Sequence, residues 1–365
     1  MKIIKFFLLI TVFNSCFEQK TNIEEKDLIP IWSQNTDLVG VPSTAPLIID
    51  NELVVYSGEI SLTALRIDDG EVIWRGAIDE KNSIQSNQLL YDGEKIVSNH
   101  IHDVIAWDKR TGEKVFFKGK SDGISVFKIG KNSITDEGYA FVGDTLDLYV
   151  LNKIGDIIYT KDIELSTAGV GYVNGKLFLS QGKTIHGALT KGKIRAFEAL
   201  NGDSLWIFET DKGGFIRTSP IVEDGVVYAG TYLGNPSRVF ALDAETGDMI
   251  WERPGFSTFQ MITNENRIYV NTQGSLQAIE KSNGEIAWSV IFESSGTANI
   301  VYLKGYVYHV RNSELVVVRD ETGEVVHREP VPDGTFFWHV AASSDKIFAQ
   351  TSRQLIAYQP WHLRN

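Results

Sequence analysis

Cysteine is nearly absent: Cys16 stands alone in 365 residues, close to the start. The rest of the chain can therefore form neither a disulfide nor a thiolate metal site. Proline is scarce at 9 and methionine scarcer at 3. The apolar run at residues 6–13 (FFLLITVF) falls far short of the roughly 20 residues that a membrane-spanning helix needs. Positive charge is in deficit, with 35 Lys and Arg against 47 Asp and Glu and a net charge of −12. Such a chain repels phosphate backbones, which argues against nucleic acid as a partner. An HExxH zinc motif, a glycine-rich phosphate loop and a nucleophile elbow are also missing.

What is present begins with a leader. Lys2 and Lys5, the apolar core at 6–13 and small residues before a cut give residues 1–15 the form of a secretory signal. Cys16 directly after it resembles the lipobox of bacterial lipoproteins, whose cysteine is lipidated and becomes the new N-terminus. Phe13 stands where leucine is usual and Asn14 is atypical, while Ser15 fits. The resemblance implies a lipid anchor on Cys16. Because Phe17 rather than aspartate follows, it also implies sorting to the outer membrane. Losing Lys2 and Lys5 with the leader makes the mature charge −14. Residues 16–28 are polar, without apolar periodicity, and read as a flexible tether reaching up to about 40 Å.

From residue 29 to 365 one phrase recurs: an apolar strand, a turn ending in glycine, a second strand with an aromatic. It reads ALRIDDGEVIW at 64–74, FALDAETGDMIW at 240–251 and QAIEKSNGEIAW at 277–288. The turn glycines are Gly70, Gly112, Gly155, Gly202, Gly247, Gly284 and Gly323, spaced by 37–47 residues. A second phrase precedes each, an apolar strand ending in a short turn. Its turns are Asp50-Asn51, Asp92-Gly93, Lys131-Asn132, Asn174-Gly175, Asp224-Gly225, Glu265-Asn266, Lys304-Gly305 and Asp345-Lys346.

A period near 40 residues with four strands predicts an all-β, eight-bladed β-propeller, with seven blades as the alternative. The eighth unit lacks its outer strand at the C-terminus. Ile31-Trp32-Ser33, 42 residues before the matching Trp74, is expected to supply it, so that the N-terminal strand closes the last blade.

Residues 217–251 carry the best-preserved copy, and it resembles the quinoprotein-type (PQQ-like) repeat over nearly all of 31–361. The resemblance implies that Trp32, Trp74, Trp206, Trp251 and Trp288 dock one blade on the next, with Phe116, Tyr159 and His327 as departures. It also implies two functional classes. One is the quinone-dependent dehydrogenases, with a ring disulfide, a calcium site and an aspartate base. The other comprises non-catalytic lipoprotein scaffolds of the outer-membrane β-barrel assembly machine.

The missing disulfide and the location of most carboxylates in turns favour the second class, without enzyme activity, metal or cofactor. His100 and His102 share a strand face beside Asp103, which fits a polar sheet edge better than a metal site.

Two long B–C loops, at 181–193 and 231–237, are expected to lie side by side. With Phe215 and Arg217 they would place Lys183, Lys191, Lys193, Tyr232, Asn235 and Arg238 on one basic, aromatic-tipped binding face. The expected partner is an envelope protein, with a β-barrel assembly component as the specific candidate. The alternatives are a ligand or glycan site at Tyr232 and Arg217, or a diverged quinone-dependent dehydrogenase.

Overall fold

In the computed structural model each repeat becomes a four-stranded antiparallel sheet, and there are eight such sheets. The structure describes residues 27–364 except 39, 79–87, 101–102, 126–130, 144–145, 186–187, 212, 216, 218, 233–235, 256, 273, 294–298, 312 and 333, and only the backbone of 166–168, 183–185 and 188–190. Cys16, the leader and most of the tether lie outside the described residues, as do His102 and Asn235. Among the described residues no helix is long and apolar enough to cross a membrane.

Blade 1 runs from Leu47–Ile49 out to Val72–Ala77, and its successors follow in chain order. Strands are lettered A to D from the channel outward. The burial pattern tells each strand's place. Strand C of blade 7, Glu314–Arg319, is apolar at four successive positions and buried at all of them, because both its faces meet neighbouring blades. Strand D of blade 1, Val72–Ala77, alternates, because it is the outer edge.

The ring closes as the repeat count requires. Pro30–Asn35 pairs antiparallel with Gln354–Tyr358, Trp32 opposite Ala357 and Asn35 opposite Gln354. The first and last described strands thus share blade 8, which leaves no open seam in the ring.

Adjacent blades are joined by a repeated latch. The indole N–H of Trp74 donates to Lys109 O at 2.9 Å, and its ring lies where a Cβ on Gly112 would come within 2.4 Å. Trp32 does the same to Ile67 O and Gly70, Trp206 to Ala244 O and Gly247, Trp251 to Lys281 O and Gly284, and Trp288 to Asp320 O and Gly323. Each of these turn glycines also has a positive φ, +74° at Gly70 for example. Two demands therefore select glycine: the left-handed backbone and the ring against it.

Tyr159 keeps the latch through its hydroxyl, 3.0 Å from Ala199 O, while Phe116 keeps only the contact with Gly155. His327 stacks instead on Trp361 of the C-terminal 3-10 turn, at 5.1 Å and 22°.

On the A–B and C–D turn face, ion pairs cross between blades: Lys109 with Asp50, Lys281 with Glu223, Arg267 with Asp320 and Lys346 with Asp68.

One buried cation lacks such a partner. Arg311, at the end of strand B in blade 7, is 2% exposed, and its guanidinium makes no hydrogen bond. It lies over the Phe292 ring at 3.9 Å. Burial disfavours its charge and lowers its pKa. Arg311→Met keeps the volume and removes the desolvated charge, so it is expected to raise the unfolding free energy by about 1–4 kcal/mol. Urea titration checks this; a loss of stability would mean that the ring contact outweighs the desolvation.

Candidate functional site

The predicted B–C loop at 181–193 is a strand extension. Lys176–Ile185 and Ala188–Glu198 pair along their whole length, with Gln181 opposite Lys193, Lys183 opposite Lys191 and Ile185 opposite Ala188. The signal was available: β-prone Thr184-Ile185 and Ala188-Leu189-Thr190 flank a two-residue spacer ending in Gly187.

Phe215 does not belong to an exposed face. It is 0% exposed, edge-on to Phe240 at 5.8 Å, and packed where a Cβ on Gly192 would fall 2.7 Å away. Its N–H donates to Gln181 O at 3.1 Å, so it wedges the hairpin base against blade 5.

The basic character of this sector is largely cancelled. Lys193 pairs with Glu209 at 3.0 Å, and Arg238 lies 3.5 Å from Asp211 and 3.6 Å from Glu252. Glu209 has its pKa lowered, first by the hydrogen bond from Lys193 and with a smaller effect from the Lys191 charge. Lys191 is exposed and makes no ion pair of its own. Lys183 is placed only by its backbone.

Tyr232 is half-buried rather than a free tip. Its N–H donates to Gly214 O at 2.8 Å, and its ring meets Phe259 edge-on at 5.1 Å. Arg217 lies over both rings, 5.0 Å from Tyr232 and 5.8 Å from Phe259. These three form one aromatic–cation cluster at the edge of the channel.

The channel is lined by the inner strands, and its polar side chains are mostly occupied in holding those strands together. Gln88 of blade 2 accepts from Asn132 N and donates to Asn132 O of blade 3. Asn299 of blade 7 likewise accepts from Val340 N and donates to Val340 O of blade 8, each at 2.6 Å. Gln260 accepts from Ile300 N at 3.0 Å, and His339 Nε2 lies 3.0 Å from Pro42 O.

Here the register read from the sequence in blade 3 is corrected. Lys131-Asn132 is not a turn; it leads into the short inner strand Ser133–Ile134, and the turn falls at Asp136-Glu137, closed by Thr135 N–H to Gly138 O at 2.8 Å. Two turn signals five residues apart competed, and the turn forms at the later one, which Gly138 follows.

The resulting cavity has a volume of about 440 Å³ and includes Lys131, Arg217, Phe259, Gln260, Asn299 and His339. No Asp or Glu is among its described lining residues. Among the described residues no group of three His, Cys, Asp or Glu could hold a metal ion. His100 is buried with Nε2 2.9 Å from Ser98 Oγ. A calcium-held quinone needs carboxylates facing the channel, so the described lining does not fit that group.

A closed ring of eight blades, with tryptophan latches at five of its junctions, around a polar channel with no carboxylate among its described lining residues defines a propeller of the quinoprotein repeat type. The family described as outer membrane protein assembly factor BamB matches residues 103–261 and 190–354, and the chain belongs to this family.

The outer membrane protein assembly factor BamB of Salmonella typhimurium is 24% identical over 331 residues, covering 84% of this chain and 81% of that protein. The crystal structure of BamB from Moraxella catarrhalis superposes with a TM-score of 0.72 at 14% identity, covering 91% of this chain and all of that one. Quinohemoprotein alcohol dehydrogenase ADH-IIG of Pseudomonas putida is 31% identical over 99 residues, but these are 23% of this chain and 13% of the enzyme.

Proposed function

We propose that this chain is a non-catalytic envelope scaffold acting in outer-membrane protein assembly. It is held at the outer membrane by a lipid on Cys16, and it binds its protein partner through the blade 4 hairpin and the adjoining edge of blade 5. The observation that carries this reading is the family match across residues 103–354, together with relatives named as assembly factors over most of their length. The absence of a carboxylate among the described channel-lining residues supports a role without quinone chemistry. The hairpin supports a docking role because it is a paired strand extension on a rigid ring, presenting Lys191.

Crosslinking in intact cells tests it. The tagged full chain is expected to recover a β-barrel assembly component. Recovery should fall severalfold in Lys191→Glu and persist in Lys153→Glu, a change on the opposite, turn-bearing face. Recovery of no envelope protein would contradict the scaffold reading.

A further inference from the structure

Two cations face the channel cavity without a counter-ion. Lys131 enters from blade 3 and Arg217 from the segment leading into blade 5. The side chain of Lys131 makes no hydrogen bond or ion pair, and Arg217 makes only its two ring contacts. On the turn face, by contrast, Lys109, Lys281, Arg267 and Lys346 each meet a carboxylate across a blade boundary. In a protein of net charge −12, two unpaired cations on one cavity with no carboxylate among its described lining residues run against the composition.

The arrangement also prepares the charges for a ligand. Stacking on Tyr232 and Phe259 holds the Arg217 guanidinium while leaving its N–H edge unspent. That planar fork matches a carboxylate or phosphate. Lys131 keeps accessible surface, yet desolvation lowers its pKa. The two observations agree if its surface faces the channel, with protein on the other sides. An anion there would relieve this penalty. The channel amides Gln88 and Asn299 are committed to backbone groups, so the cations are the free recognition elements.

We propose that the channel binds a small anion of the carboxylate or phosphate class, carrying at least two negative charges, held jointly by Lys131 and Arg217. The proposal goes beyond the assembly role and stands or falls without it.

Isothermal titration calorimetry on the mature chain at low ionic strength tests it, with citrate and inorganic phosphate as probes and chloride as the monovalent control. Saturable 1:1 binding of citrate or phosphate is expected, weakened about tenfold or more in Arg217→Gln and likewise in Lys131→Met. Lys153→Gln should bind as the parent does. Tighter citrate binding would assign the site to carboxylates, tighter phosphate binding to phosphates. Melting curves establish that the variants fold, and Arg217→Gln decides alone if Lys131→Met does not. Binding no better than chloride, or binding that survives both substitutions, would overturn the proposal.

Discussion

Trp74→Ala is expected to lower the unfolding free energy by about 3–5 kcal/mol. The indole is 7% exposed, so truncation leaves a cavity between blades 1 and 2. It also removes the hydrogen bond to Lys109 O and uncovers the turn at Gly112. Because the blades form a closed ring, the damaged interface cannot be isolated at an end. Gly112→Ala should destabilise through the same contact from the other side: φ is +70°, and the added methyl would meet the Trp74 ring. Urea unfolding with an unchanged slope is the measurement. A loss below about 1 kcal/mol for Trp74→Ala would show that the latch does not hold the ring.

Stability is expected to fall with acid well before the carboxylates titrate, and His309 is the reason. It is fully buried on strand B of blade 7, edge-on to Phe292 at 5.4 Å, with both ring nitrogens unpartnered. Desolvation, helped by the charge of Arg311, pushes its pKa down from 6.5 to about 3. The sign follows from proton counting. Below about pH 6.5 the unfolded chain binds a proton that the folded chain refuses, so the full contribution present above that pH is lost progressively on acidification. One histidine gives a slope of about 1.4 kcal/mol per pH unit, or about 2 kcal/mol by pH 5.

His339 is also pushed down, to about 4, but it lines the channel cavity and is only partly buried, so it should contribute less. Below about pH 4 the turn aspartates add their share. Backbone N–H groups of Thr111 and Thr246 hold Asp108 and Asp243 below the usual range, and that stability is lost as they protonate. His309→Leu should flatten the profile between pH 6.5 and 4. An unchanged slope in that variant would assign the acid sensitivity elsewhere.

The fold was legible because each local feature repeats. A glycine at positive φ, an aromatic four residues later and a spacing near 40 residues carry blade count, strand order and latch partners together. Trp32 at one repeat length from Trp74 was enough to place the N-terminal strand on the last blade. Blade 3 was misread where this redundancy failed: its inner strand is two residues long, and Lys131-Asn132 and Asp136-Glu137 both look like turns.

The candidate site was less legible, because its charges are settled by residues distant in sequence. Glu209, Asp211 and Glu252 lie on or just beyond outer strands, and pairing with them removes Lys193 and Arg238 from the exposed charge. An aromatic in a loop gives no sign of its burial, which is how Phe215 was placed on the surface. The channel clamps at Gln88, Gln260 and Asn299 fall into line only after the inner strands are aligned.

Hydrogen–deuterium exchange of the mature chain, alone and with the barrel-forming subunit of the outer-membrane assembly machinery from the same organism, tests the scaffold account most directly. The account predicts new protection in the blade 4 hairpin, Lys176–Ile185 and Ala188–Glu198, and in the adjoining edge of blade 5, with the opposite turn face unchanged. Protection confined to the turn face, or none at saturating partner, would contradict it.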